Sequence, residues 1–467
     1  MFCRGVIKRA SIGAVMKIEG GHRFNLKHGP KDHISLLDEP DFVGLSIRGF
    51  LKLKPKILVK EGDLVFLGQA LIEDKYDSRI RFCSPASGSI HKIEYGPRRV
   101  LEAVIVKIDP ALEKDNEKNS LSDLKDLTAS KIYEELIRFG IWPLIDHFPK
   151  KKWAPLPSIS ECLEERKIAA VHVNLLKTDV HSADPLKIIE RSPELFLAGC
   201  AVLKILAPLR AYIKKGADKK LIFSDHFSDI YQAEAKYPAH DLGVQAYYQK
   251  SLLKNECIIG VDAEIVKDIG SLFLKGKFRK ERIYSLSGSA VREPKLFEGR
   301  VGIAVGDLVS EALKDFSEVR LIAGNLFTGS KVKLADFLAP KETGIIAMEE
   351  DTKRIPLSFF RLGFDRLSIH KTWGSRFLSD DSSHEATTNN NGEERACIQC
   401  GYCIDICPVK LLPNLLMKAA KDKDIEKMEK LFINDCVDCG LCTFTCPAKI
   451  ELGREIALGK QLLEKEG

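Results

Sequence analysis

Between residues 42 and 109 apolar and polar positions alternate at the two-residue period of half-buried strands. Ile57, Val59, Val65 and Leu67 take one face, and Gly62, Asp63, Gly68, Pro85 and Gly88 supply the turns. A small β-sandwich or barrel is expected there. After a polar stretch at 111–127, Ile132, Leu136 and Ile137 recur at helical spacing, and Asp126 or Thr128 would cap that helix. From 168 to 270 short apolar runs (IAAVHVNLL, LIFSD, CIIGVD) alternate with helical stretches such as AVLKILAPLRAYIKKG, an α/β pattern that predicts a parallel sheet. Residues 278–335 return to strand character in RIYSLSGSAV and RVGIAVGDLV. From Phe377 to Arg395 the chain reads FLSDDSSHEATTNNNGEER, almost without apolar residues, which predicts a flexible linker. The expected organisation is a multidomain α/β and β protein. It comprises a β domain at 1–110, an α/β domain at 126–275, a second β domain at 276–376, a linker at 377–395 and a C-terminal unit at 396–467.

The 467 residues, 45% of them hydrophobic, hold enough apolar material for several cores. Lys and Arg number 72 against 66 Asp and Glu, and the resulting +6 is scattered through mixed-sign sequence, which speaks against a nucleic-acid binder. No window reaches the roughly 18–20 uninterrupted apolar residues of a membrane span. The opening MFCRGVIKRASIGAVMKIEGG carries a basic residue inside each apolar stretch, so a cytosolic location is expected, with docking on a membrane partner left open. Of 13 cysteines, Cys3, Cys83, Cys162, Cys200 and Cys257 lie far apart and are expected to be small buried hydrophobes.

The other eight change the picture. Cys397, Cys400, Cys403 and Cys407 stand as C-x2-C-x2-C-x3-C before Pro408; Cys436, Cys439, Cys442 and Cys446 repeat the spacing before Pro447. Three thiolates, each separated from the next by two residues, can wrap one iron-sulfur cube, with Gly401 and Gly440 letting the backbone run close to the sulfides. In two-cluster ferredoxins the fourth cysteine serves the other cluster. Two [4Fe-4S] clusters are therefore expected, one held by Cys397, Cys400, Cys403 and Cys446, the other by Cys436, Cys439, Cys442 and Cys407. Zinc also takes four thiolates, but usually from two separated C-x2-C pairs. Between the quartets, LLPNLLMKAAKDKDIEKMEKLF predicts a pair of helices in which Leu415, Leu416 and Met417 pack. The module resembles the α-helical ferredoxin units appended to larger redox subunits.

The order V-K-E-G-D-x-V-x-x-G-Q-x-L followed by S-P-x-S-G-x-I resembles the barrel-sandwich hybrid of lipoyl and biotinyl carriers, with Lys75 near the modified lysine of such a hairpin. Ten residues separate Lys75 from Pro85 and no Met-Lys-Met is present, so an unmodified barrel with Lys75 in a solvated turn is expected, a lipoylated carrier scaffold being the other reading. Taken with LIRFGIWPLIDHFP, LFLKGKFRKERIYSLSGSAV, FFRLGFDRLSI and the cysteine block, the chain resembles the A subunit of the bacterial Na+-translocating NADH:quinone reductase and the related C subunit of the Rnf ferredoxin:NAD oxidoreductase.

The resemblance implies a β-grasp, soluble-ligand-binding fold near Ser285–Val309. It also implies a peripheral subunit on the cytoplasmic face of the membrane, taking part in electron transfer to quinone. Membrane-embedded and flavin-bearing partner subunits would carry Na+ export, NADH and flavins. An Rnf-type subunit would cradle flavin and nicotinamide phosphates in a Gly-rich loop. Here RFGIWPLIDHFP offers Gly140 alone, beside bulky Ile141, Trp142 and Pro143, so NADH is expected to be oxidised elsewhere. Trp142, Phe148, Trp153 and Trp373 are apolar candidates for quinone contact, though lone aromatics usually belong to a core, and no quinone site can be mapped from them.

Overall fold

The structure is a computed structural model describing residues 14–50, 53–113, 127–149, 167–178, 181–217, 226–249, 252–253, 256–310, 312–314, 318–351, 364, 383–389 and 392–466. Two strands, β1 (Ala14–Met16) and β2 (Lys31–Leu36), open the chain. Seven more follow: β3 (Phe42–Ser46), β4 (Pro55–Ile57), β5 (Leu64–Val65), β6 (Ala70–Asp74), β7 (Arg81–Cys83), β8 (Gly88–Tyr95) and β9 (Leu101–Ile108). They form two antiparallel sheets, ordered β3-β9-β8-β5 and β4-β6-β7. The predicted alternation holds around β4, where Lys56, Leu58 and Lys60 are exposed and Ile57 and Val59 are not. Val43, Val65, Leu71, Ile72, Val104 and Val106 fill the interior.

Next come α1 (Pro110–Glu113), α2 (Ala129–Arg138), β10 (Asp146–Phe148), β11 (Lys167–Leu175), α3 (Pro185–Arg191), α4 (Pro193–Leu206), β12 (Leu209–Lys214), β13 (Asp229–Ala233), α5 (Leu242–Gln249), β14 (Glu256–Asp262) and α6 (Ala263–Lys275). Thr128 caps α2, its side chain accepting the Lys131 N–H; Asp126 lies outside the described residues, as does the run LIFSD. The stretch AVLKILAPLRAYIKKG, expected as helix, divides at Pro208. There α4 has ended at Leu206, because proline can neither donate to the helix ladder nor clear the preceding turn, and LRAYIK alternates as strand β12.

The sheet runs β1-β13-β12-β11-β14-β10, parallel except for β10. One face, with Val171, Val173, Leu209, Ala211 and Ile213, packs on Phe196, Cys200 and Leu203 of α4 and Val266, Ile269 and Leu272 of α6. The two helices touch at Gly199 and Gly270, where a Cβ on either would collide with the other helix's backbone.

The second β unit contains β15 (Glu281–Ser287), β16 (Lys295–Arg300), α7 (Val305–Val309), β17 (Val319–Ala323), β18 (Ser330–Val332) and β19 (Gly344–Glu349) in the order β18-β17-β19-β15-β16-β2. β19 lies parallel to β15 at the centre, the arrangement of a β-grasp sheet. The chain ends in α8 (Tyr402–Asp405), α9 (Pro413–Lys421), α10 (Ile425–Lys430), α11 (Leu441–Phe444) and α12 (Leu452–Glu466).

Two expectations change. Strands β1 and β2, inside the stretch assigned to the first β domain, pair instead with β13 and β16 as edge strands of the other two sheets. Nothing in three to six residues specifies a partner some 200 positions away, whereas an unpaired sheet edge takes whichever strand the chain delivers. The second change concerns the linker. Its described residues are tied down at both ends: His384 donates its N–H to the Asn25 carbonyl of the body (2.9 Å) and Lys27 donates to that of His384 (2.8 Å), while Arg395 donates to the Ala448 carbonyl of the C-terminal unit (2.8 Å). The C-terminal unit is docked as well. Met16, Ile18, Tyr212, Ala233 and Val244 share one buried apolar cluster with Cys407, Val409, Leu411, Leu416 and Ile456. At the seam Gly21 donates its N–H to Ile406 (2.8 Å), and a Cβ on Gly20 would overlap the Cys407 carbonyl and the Pro408 backbone.

Gly20→Val should therefore wedge the seam at a cost of about 1–3 kcal/mol. Amide hydrogen exchange over residues 402–421 is the measurement. It should accelerate in the variant, and unchanged protection would contradict the docking.

Candidate iron-sulfur centre

The two cysteine loops are copies of one another in backbone as well as sequence. Gln399 and Asp438 are both left-handed (φ 54° and 56°), as are Gly401 and Gly440 (81° and 76°) and Lys410 and Lys449 (55° and 58°). Each pair is displaced by 39 residues, as are Cys397 and Cys436. The helices follow suit, α8 corresponding to α11 and the start of α9 at Pro413 to the start of α12 at Leu452. Gly401 and Gly440 supply the turn into α8 and α11, a conformation that L side chains rarely adopt.

Sulfurs of the two runs lie near one another. Cys397, Cys400, Cys403 and Cys446 line one cavity, closed by Pro447, Ala448 and Leu452. The Cys403 thiol lies within electrostatic reach of Cys400 and Cys446, and that of Cys439 within reach of Cys436, Cys442 and Cys407. Burial raises these thiols, Cys403 to about 11 and Cys442 to about 12, with Cys436 and Cys439 also pushed up. Thiols so desolvated become thiolates only when a metal supplies compensating positive charge. Two C-x2-C-x2-C-x3-C-P runs are a donor set of iron-sulfur clusters, whereas zinc is usually held by two separated C-x2-C pairs. The donor set fits [4Fe-4S] clusters.

The loops differ in their surroundings. At the first, Cys400 is exposed and Ile398 stands 68% exposed. The second faces the body: the Tyr237 hydroxyl donates to the Cys439 carbonyl (2.9 Å), and Gly243 and Phe327 pack against Val437 and Gly440. Phe24, Tyr237, Phe327 and Phe444 form an aromatic cluster at this junction, with ring centroids 4.7–6.2 Å apart. Sequence reasoning missed it, because its four rings come from four segments and no local period links them.

The remaining candidates separate from this centre. Gly140 (φ 66°) turns the chain where a Cβ would strike the Arg81 carbonyl and the Cys83 sulfur, so its role is packing. Trp142 is buried edge-on to Tyr133, and Phe148 packs half-buried beside Ala170, Leu242 and Ile258. Trp153, Trp373, Cys3, Cys162 and most of FFRLGFDRLSI lie outside the described residues. Lys75 is exposed in the turn after β6. Cys83, Cys200 and Cys257 are buried, the first two pushed up to about 12 by desolvation.

Three family models match along the body: the NqrA N-terminal barrel-sandwich hybrid domain at 16–109, the NqrA second alpha/beta domain at 127–278 and the NQRA C-terminal domain at 283–333. The chain belongs to the NqrA family. A fourth model, a 4Fe-4S dicluster domain, matches 396–451 behind the NqrA body. The chain is 27% identical to the Na(+)-translocating NADH-quinone reductase A subunit of Marinomonas sp. (strain MWYL1) over 431 residues, 92% of this chain and 93% of that one. To the protein of the same name from Pasteurella multocida (strain Pm70) it is 28% identical over 422 residues, 90% and 92% of the two chains. A solved NAD+-reducing [NiFe]-hydrogenase aligns with 73% of this chain and 66% of its own at 14% identity and a TM-score of 0.37, a likeness that bears on neither fold nor function. No helix among the described residues of this NqrA chain is long and apolar enough to cross a membrane.

The crossed ligand sets expected from the sequence make a prediction about paired substitutions. Cys400→Ala with Cys446→Ala should leave about four irons per chain, whereas Cys439→Ala with Cys446→Ala should leave none stably bound. Iron analysis of anaerobically purified protein decides; the reverse pattern would mean that the quartets do not cross.

Proposed function

We propose that the chain is the A subunit of a Na+-translocating NADH-quinone reductase, peripheral on the cytoplasmic face of the membrane, taking part in electron transfer to quinone. It would hold two [4Fe-4S] clusters, one on Cys397, Cys400, Cys403 and Cys446 and one on Cys436, Cys439, Cys442 and Cys407. The observation that carries this reading is the pair of backbone-equivalent cysteine loops docked on an NqrA body. Bound clusters supply one-electron carriers. The protein's own part is to present eight thiols, pack the second loop against the body through Tyr237, Phe327 and Gly243, and leave the first loop at the surface near Ile398. Flavin-bearing partners would oxidise NADH, since Gly140 serves packing here, and membrane-embedded partners would move Na+.

The eight cysteines also favour a second reading, an Rnf-type C subunit that binds flavin and NADH itself. Flavin released on denaturing the isolated chain would support that reading.

Anaerobic purification should yield brown protein with about eight irons per chain and an EPR signal after dithionite reduction. In its native membrane the chain should co-purify with flavoprotein subunits. Colourless, zinc-loaded protein would refute the clusters, and a freely soluble chain without membrane partners would refute the complex.

A further inference from the structure

The two cysteine loops share a backbone but not their charges. By the same 39-residue displacement, Gln399 of the first loop corresponds to Asp438 of the second, and Lys421 of α9 to Lys460 of α12. Lys460 is only 2% exposed. Its ammonium donates to both carboxylate oxygens of Asp438, at 2.7 and 2.6 Å, and to the carbonyl of Cys436 at 2.8 Å. Asp438 Oδ1 lies 3.7 Å from the Cys436 sulfur. The counterpart pair is absent from the first loop. Lys421 stands 45% exposed and reaches Glu394 at 3.6 Å, and the residue at the Asp438 position is the neutral Gln399.

A lysine is almost never fully buried unless paired, and an apolar residue of similar length would hold α12 against the loop at lower desolvation cost. The burial of this charge therefore calls for a reason beyond packing. We propose that the Lys460–Asp438 pair positions the second cysteine loop and sets the reduction potential of the cluster it holds apart from that of the first. The inference rests on the cluster loading proposed above. Reduction adds one negative charge, and the two fixed charges beside this loop are the buried Lys460 ammonium and the Asp438 carboxylate, whose side chain is 35% exposed. With the pair intact, the Asp438 carboxylate beside the Cys436 sulfur is neutralised. Without Lys460 that carboxylate would oppose reduction; without Asp438 the ammonium would favour it. Both residues are positioning residues, and a purely structural staple would give no opposite signs.

The test is a potentiometric titration followed by EPR on the full chain, purified anaerobically, as wild type, Lys460→Met, Asp438→Asn and the double variant. Cys400→Ser, which impairs the first cluster, assigns the two midpoints. Lys460→Met should lower the second cluster's midpoint and Asp438→Asn should raise it, each changing the oxidised-to-reduced ratio at a fixed potential about tenfold. The double variant should return towards wild type, and the first cluster should stay put throughout. Unchanged midpoints, shifts of one sign, or equal shifts of both clusters would overturn the inference. If Lys460→Met fails to retain its second cluster, Asp438→Asn decides alone: a raised midpoint upholds the proposal and an unmoved one overturns it. A wild-type chain without iron would instead overturn the cluster reading, and this inference with it.

Discussion

A parallel sheet has two apolar faces, and both must be covered. In this protein α4 and α6 seal one face of the β1-β13-β12-β11-β14-β10 sheet. Over the other, α5 reaches Ala170 and Ile258, while Met16, Tyr212 and Ala233 pack into one cluster with Val409, Leu411 and Leu416 of the cysteine unit. The iron-sulfur module is thus a layer of the α/β architecture. That requirement fixes which way the module faces.

Because the module is held by that seam, its internal symmetry is broken by its surroundings. The second loop lies against Tyr237, Phe327 and Gly243, with a buried lysine behind it; the first looks outward past Cys400 and Ile398. Two loops of the same backbone conformation are thus given different packing and charge environments. One loop abuts the body and the other is exposed at Cys400 and Ile398.

The chemistry of the centre was legible in the sequence because ligand spacing is local: C-x2-C-x2-C-x3-C-P and the glycines after Cys400 and Cys439 specify a loop regardless of what surrounds it. The barrel was legible for the same reason, in Val65, Gly68 and Gly88. What escaped was everything set by distant partners. Strands β1 and β2 complete sheets formed by residues far downstream. The polar run ending at Arg395 reads as a free tether because composition reports side chains, while its described backbone is hydrogen-bonded to Asn25 and Lys27 of the body and to Ala448 of the cysteine unit. Lys460 resembles any lysine of an amphipathic helix until Asp438 is seen beneath it.

Clusters held in this module are proposed to carry electrons within an NADH-quinone reductase. Rapid-freeze EPR of the assembled, membrane-extracted complex after mixing with NADH tests this most directly. The account predicts that [4Fe-4S] signals appear and are reoxidised by quinone within one turnover. Signals that stay silent while quinone is reduced, emerging only with dithionite, would contradict it.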